Sequence, residues 1–248
     1  MFAFHLREPP QVREGILHSA DTFTIRHVRT ARIEPGERFA LIFAGARVTC
    51  ELISVGPLHL TARVISEGHP EKPNPSFIFA FAALKGGKSE DVLFSLTQLS
   101  VDVFILFASA RTVARRPSEE RVERYRKKVL EACEVSGIVH PPAVLWADGV
   151  TGLLEMAEEH ACPPSHRLLF YERESSTGLS LKNVTSMPYD GRACFAVIGP
   201  EGGFEDAEVR AFADAGFQPV TLGSRVLEAR VAAYYAASCL SAWMGKLK

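Results

Sequence analysis

The sequence predicts a two-part α/β protein. A small N-terminal β-barrel precedes a larger domain, built on a mostly parallel sheet with helices on both faces. Three observations carry that prediction. The first 70 residues break into short segments that alternate apolar with polar residues, separated by glycine and proline turns. From Phe77 onward, continuous apolar runs alternate with helical patterns, as parallel strands and their crossovers require. Between the two lies 67–76, where Pro70, Pro73 and Pro75 sit among charged neighbours. That is a linker composition, and it divides the chain into domains 1–70 and 71–248.

In the first domain, 22–25, Arg38–Phe43, 47–55 and 59–65 read as strands. Pro35 with Gly36, Gly45, and Gly56 with Pro57 read as the turns. This part holds eight Arg against seven Asp plus Glu, so it is not basic overall, but Arg26, His27, Arg29 and Arg32 cluster. Two readings of the cluster stand: a solvated helix or turn face, or a patch that contacts phosphates.

The second domain opens with a strand over 77–83, apolar throughout. Ser89 is placed to cap a helix with Val92, Leu93, Leu96 and Leu99 on one stripe. A strand over 103–108 follows. Ser118 then caps a helix whose inward face carries Val122, Tyr125, Val129, Ala132 and Cys133. Strands at 143–146 and 168–171 flank a helix over 152–160. The run Cys194–Ile198 reads as a buried strand. Gly199, Pro200, Glu201, Gly202 and Gly203 break it. An acidic first turn of Glu205, Asp206 and Glu208 then opens a helix with Val209, Phe212 and Ala213 on one face. Ala215 and Gly216 end that helix, 218–222 makes another strand, and Gly223, Ser224 and Arg225 lead into a helical pattern over 226–244.

Composition removes several function classes. The 248 residues carry a formal charge of −1, so any nucleic-acid surface must be local. No apolar stretch approaches the ~20 residues of a membrane span, and the N-terminus lacks the layout of a signal peptide. The five cysteines are scattered without a Cys-x-x-Cys pair, which speaks against a zinc site or a disulfide framework and fits a reducing cytoplasm. No Gly-x-Gly-x-x-Gly follows a strand, which sets a nicotinamide-binding enzyme low.

Each of the last two predicted strands ends in a glycine loop. In an open α/β sheet ligands settle at the carboxyl ends of strands, so both loops belong to one rim. Glycine lets the backbone close on a small ligand; the plainer reading is a pair of tight turns.

Ile198 through Phe204, with Leu222, Gly223, Arg225 and Leu227 about twenty residues later and a final Ala-rich helix, resemble the SPOUT superfamily of methyltransferases. More narrowly they resemble the ribosomal RNA small-subunit methyltransferase E family. Supporting segments are His27 to Arg29 with Pro35 and Gly36, then 83–88, then 131–137. The resemblance implies an S-adenosylmethionine-dependent enzyme that methylates N3 of a uridine in 16S rRNA. It also implies a PUA-like N-terminal barrel that holds RNA, a trefoil knot at the C-terminus and a homodimer through the knot.

The candidate cofactor cradle is Ile198, Gly199, Pro200, Glu201, Gly202, Gly203, Leu222, Gly223 and Leu227. N3 of uracil is protonated at neutral pH, so a cation near the imide would help by stabilising the anion. Arg225 is the candidate catalytic residue; its plainer role is to bond backbone at a helix start. Candidate RNA contacts are Arg26, His27, Arg29, Lys85 and Arg111. The run 111–128, with eight Lys or Arg against three Glu, reads as a solvated helix face or as an RNA backbone contact. One departure stands out. Where the family reads Arg-Thr-Glu-Thr, this chain has Glu228, Ala229, Arg230 and Val231. A second function reading follows from it: a catalytically altered or inactive RNA-binding homologue that keeps the cofactor fold.

Overall fold

The computed structural model describes residues 1–70, 76–112, 116–160, 162–171 and 179–247. Pro73 and Pro75 of the predicted linker, and Val113 and Arg115 of the basic run, lie outside the described residues. The chain divides into two compact units, Met1–Pro73 with Leu130–Pro141, and Asn74–Val129 with Pro142–Lys248.

The first unit is built on a six-stranded sheet. In chain order its strands are β1 (Ala3–His5), β2 (Gln11–Arg13), β3 (Ile16–Ser19), β4 (Arg38–Phe43), β5 (Ala46–Val55) and β6 (Leu60–Gly68). They lie in the order β1-β4-β5-β6-β3-β2, antiparallel except for the β1–β4 pair. Leu17, Phe39, Leu41, Leu52 and Leu60 fill the core against helix α1 (Thr22–Thr30).

That helix corrects one expectation, for 22–25 is its first turn and not a strand. The Asp21 carboxylate caps it, accepting from the backbone N–H groups of Phe23 and Thr24. Ile25 and Val28, three apart, are buried beneath it, while Arg26 and Arg29 face solvent. His27 sits between these: its Nδ1 bonds Glu134 Oε2 at 2.9 Å, and its ring lies 4.1 Å from that of Phe23. Glu134 also accepts from the His5 N–H at 3.2 Å, so the segment Leu130–Pro141 is fastened to this unit by polar as well as apolar contacts.

The second unit carries a seven-stranded parallel sheet: β7 (Phe77–Ala82), β8 (Val103–Phe107), β9 (Ala143–Ala147), β10 (Arg167–Phe170), β11 (Leu179–Ser180), β12 (Cys194–Ile198) and β13 (Gln218–Thr221). The order is β11-β13-β10-β12-β7-β8-β9, every pair parallel. Strands β7, β8 and β12 are buried along their whole length, as continuous apolar runs demand. The helices are α2 (Lys88–Gln98), α3 (Glu119–Ser136), whose residues from Leu130 onward belong to the first unit, α4 (Gly149–Glu159), α5 (Leu181–Ser186), α6 (Asp206–Asp214) and α7 (Ala229–Trp243). Helix α7 packs on α2 and α5.

Most predicted elements are present within a residue or two. Ser118 does cap α3, accepting from the Arg121 N–H at 3.4 Å. Ser89 does not cap α2. Gly87 holds that position with φ +84°, and Ser89 is buried as the second residue of the helix, its Oγ exchanging hydrogen bonds with the Leu84 backbone. The final helix begins at Ala229 rather than before it, so Arg225, Val226 and Leu227 are loop and Glu228 is its N-terminal boundary.

Candidate active site at the carboxyl rim of the parallel sheet

Strand β12 lies between β7 and β10, and β13 lies on the far side of β10. The register pairs Phe170 with both Ile198 and Val220, so β12, β10 and β13 end level with one another. Their carboxyl ends open onto a cavity of about 610 Å³, within the range of small-molecule sites. Tyr171 lines it from β10, the residues 198–201 with Gly203 and Phe204 from β12, and 221–229 from β13. Ala232 closes it from α7. The two glycine loops read from the sequence are therefore brought to one cavity.

The glycines serve different ends. A Cβ on Gly199 would stand 2.7 Å from the Phe204 ring, so this glycine makes room for that side chain. Phe204 is buried, stacked on Phe107 at 6.4 Å and edge-on to Phe212 at 5.4 Å. It anchors the loop's return to the core. Phe204→Ala is expected to destabilise the protein by about 3–5 kcal/mol, measured by denaturant unfolding, because it leaves a cavity beneath the site. Gly203 has φ +71°, and its N–H donates to the Pro200 carbonyl at 2.9 Å, closing a tight turn. Gly202 stands apart from the cavity: a Cβ there would meet Arg111 Cβ at 3.2 Å. Its carbonyl accepts from Arg111 Nη1 at 3.2 Å, and Arg111 Nε also lies 3.7 Å from Glu205. Gly223 has φ +125° and nothing within 4 Å of where a Cβ would be. Thr221 Oγ1 steadies this corner, accepting from the Gly223 N–H and donating to its carbonyl, each at 3.2 Å.

Of the nine residues predicted for the cradle, all but Gly202 line the cavity, and so does Arg225, which is exposed. Lys85 is exposed in the loop after β7. Arg111 is exposed in the loop after β8, beside Gly202, and does not line the cavity. Arg26, His27 and Arg29 belong to the other unit.

Sequence reasoning missed the charges on the rim. Lys88 Nζ is 2.6 Å from Glu201 Oε1 and 3.0 Å from Glu228 Oε1. Arg230 pairs with Asp91 at 3.1 Å and approaches Glu228 at 3.9 Å. The hydrogen bonds to Glu201 and Glu228 push the Lys88 ammonium above its ordinary pKa, and Lys88 holds the Glu228 carboxyl below its own. No local pattern announces such pairs, because Lys88 and Glu201 are joined only by the fold.

Residues 70–241 match the model of a protein family described as an RNA methyltransferase domain. Among curated proteins, the ribosomal RNA small subunit methyltransferase E of Bacillus subtilis is 29% identical over 241 residues, covering 93% of this chain and 92% of its own. The protein of that name from Synechocystis is 29% identical over 228 residues, covering 87% and 71%. Among solved structures, a putative methyltransferase from Legionella pneumophila with the bound cofactor SAM superposes with a TM-score of 0.78 at 24% identity, covering 97% of each chain. A ribosomal RNA small subunit methyltransferase E from Neisseria gonorrhoeae bound to S-adenosyl methionine gives 0.77 at 24% identity, covering 98% and 97%.

Proposed function

We propose, because this chain belongs to the RNA methyltransferase domain family, that it transfers the methyl group of S-adenosylmethionine to N3 of a uridine in 16S rRNA of the small ribosomal subunit. One observation supports this placement of the site: two backbone corners at Gly199 and Gly223 line a single cavity at the carboxyl ends of β12 and β13, the two parallel strands that flank β10. The cavity fits the cofactor in kind. Ile198, Leu222 and Leu227 give it apolar walls, and the open space at Gly223 lets a ligand reach backbone groups. Residues 198–201, Gly203, 222–223 and Leu227 would hold it.

The cofactor, when bound, supplies an activated methyl group and a good leaving group. The chain's own task is to position two partners, exclude water and stabilise charge on the acceptor. The loops after β12 and β13 bind and orient. Arg225, on the cavity lining, would stabilise the anion left when the uracil imide loses its proton.

The RNA contacts are proposed as Arg26, His27 and Arg29 from the first domain and Lys85 and Arg111 from the second. All but His27 are exposed, and His27 already commits one ring nitrogen to Glu134. Replacing Arg26 and Arg29 together by alanine should lower affinity for small-subunit RNA. It should also reduce the slope of log affinity against log salt by about two, since each arginine accounts for about one released counterion. A filter-binding series across salt concentrations checks this.

The finer architecture proposed is a PUA-like barrel over 1–70 and a SPOUT domain over 71–248 whose C-terminus is knotted and supports a homodimer. Exposed Val231 and Tyr235 on α7 suit such an interface. Among the described residues no helix is long and apolar enough to cross a membrane, and a cytoplasmic location suits an rRNA substrate. The reading of an altered, inactive homologue rested on Glu228 to Val231. Glu228 and Arg230 are both engaged in ion pairs, while Arg225 lies on the cavity, so that departure removes none of the proposed machinery.

Mass spectrometry of 16S rRNA from a strain lacking this gene tests the activity. The 3-methyluridine should vanish and return when the parent gene is restored. Its persistence in the deletion strain would overturn the reading.

A further inference from the structure

We propose that Lys88 is a positioning residue of the cofactor site, the pin of an ionic clasp that holds the two glycine loops at the separation the cofactor needs. The inference rests on the preceding reading of the cavity as the S-adenosylmethionine site.

The clasp joins parts that the chain leaves far apart. Glu201 belongs to the loop after β12, Glu228 ends the loop after β13, and both line the cavity. Neither reaches the other; each reaches Lys88, at 2.6 and 3.0 Å. Lys88 is the first residue of α2, which starts at the left-handed Gly87, and its N–H bonds the Lys85 carbonyl at 3.2 Å. The ammonium is thus presented from a fixed helix end. Three residues on, Asp91 pairs with Arg230, so α2 grips the start of α7 at two points of opposite charge. The loop from 222 to 228 has its N-terminal end steadied by Thr221 and its C-terminal end by this clasp.

The arrangement also accounts for the chain's departure from the pattern it resembles. Glu228 and Arg230 have exchanged charges relative to the family's Arg-Thr-Glu-Thr, and these are the two residues that meet Lys88 and Asp91. Both pairs need their signs as they stand here. The members are only partly buried, with side-chain exposures of 35–58%. Their worth is therefore modest and sensitive to salt, and it falls on loop geometry rather than on the fold.

Calorimetric titration of the full chain with S-adenosylmethionine tests this, using the parent, Lys88→Met and Lys88→Arg, each at low salt and at about 1 M salt, where charges are screened within ~3 Å. At low salt Lys88→Met should bind roughly fivefold more weakly, with an unchanged melting temperature, and Lys88→Arg should recover most of the loss. At high salt the parent and Lys88→Met should converge. Equal affinity of parent and Lys88→Met at low salt would overturn the clasp. So would a loss that persists at high salt and is not recovered by arginine, which would make Lys88 a matter of packing. A parent that binds no cofactor would instead overturn the reading of the cavity itself.

Discussion

Gly223→Val is expected to reduce affinity for S-adenosylmethionine by about 100-fold or more while leaving the melting temperature nearly unchanged. At φ +125° the Gly223 backbone lies where a β-branched residue is strained by roughly 1–3 kcal/mol. No neighbour stands in the way of the added atoms, so a valine would not collide; it would turn the corner. Residues 221–229 line the cavity as one continuous strip, and a changed corner moves the whole strip. Because the loop is exposed there, it can relax without disturbing the sheet, and the effect falls on binding. Calorimetry with the cofactor, paired with a thermal melt, separates the two. Unaltered affinity would mean that the corner is only a turn.

Arg225→Ala is expected to lower the rate of methyl transfer by about 100- to 1000-fold at saturating cofactor and RNA, with cofactor affinity within about threefold of the parent. The size follows from removing one preorganised charge stabiliser from a site that must tolerate an anion. Arg225→Lys keeps the charge but not the planar fork, and it should retain part of the rate. Transfer of labelled methyl to small-subunit RNA, followed in single turnovers, reads the chemical step. A normal rate in Arg225→Ala would remove this residue from the chemistry and leave it a structural arginine of the loop.

The parallel sheet was legible because its strands are buried on both faces. Phe77–Ala82, Val103–Phe107 and Cys194–Ile198 are apolar without interruption, and only a buried strand of that length suits them. The first domain was harder. Residues 22–25 alternate polar with apolar, and that strand-like pattern masks the cap signal of Asp21, whose carboxylate starts a helix there. Strand β2 is exposed at every position and β1 is three residues long, so neither carries a pattern. Ser89 has the right type for a cap, yet the left-handed Gly87 takes that place and frees Ser89 to bond the Leu84 backbone.

At the site, the loops themselves were legible as glycines after strands. What each glycine does was not. Gly199 serves the Phe204 ring and Gly202 serves Arg111; both partners are set by tertiary packing. The Lys88 clasp was invisible for the same reason, since its carboxylates arrive from loops more than a hundred residues away. The sequence departure at Glu228 and Arg230 looked like lost function when read alone. Beside Lys88 and Asp91 it is a pairing.

The central claim is that one cofactor lies between the corners at Gly199 and Gly223. A crystal structure of the full chain grown with S-adenosylmethionine tests it most directly. The account predicts density for the cofactor in the cavity lined by 198–201, Gly203, Phe204 and 221–229, with its methyl group open to the side where Arg225 stands. Density for the cofactor elsewhere, or a cavity filled by the protein's own side chains at saturating cofactor, would contradict it.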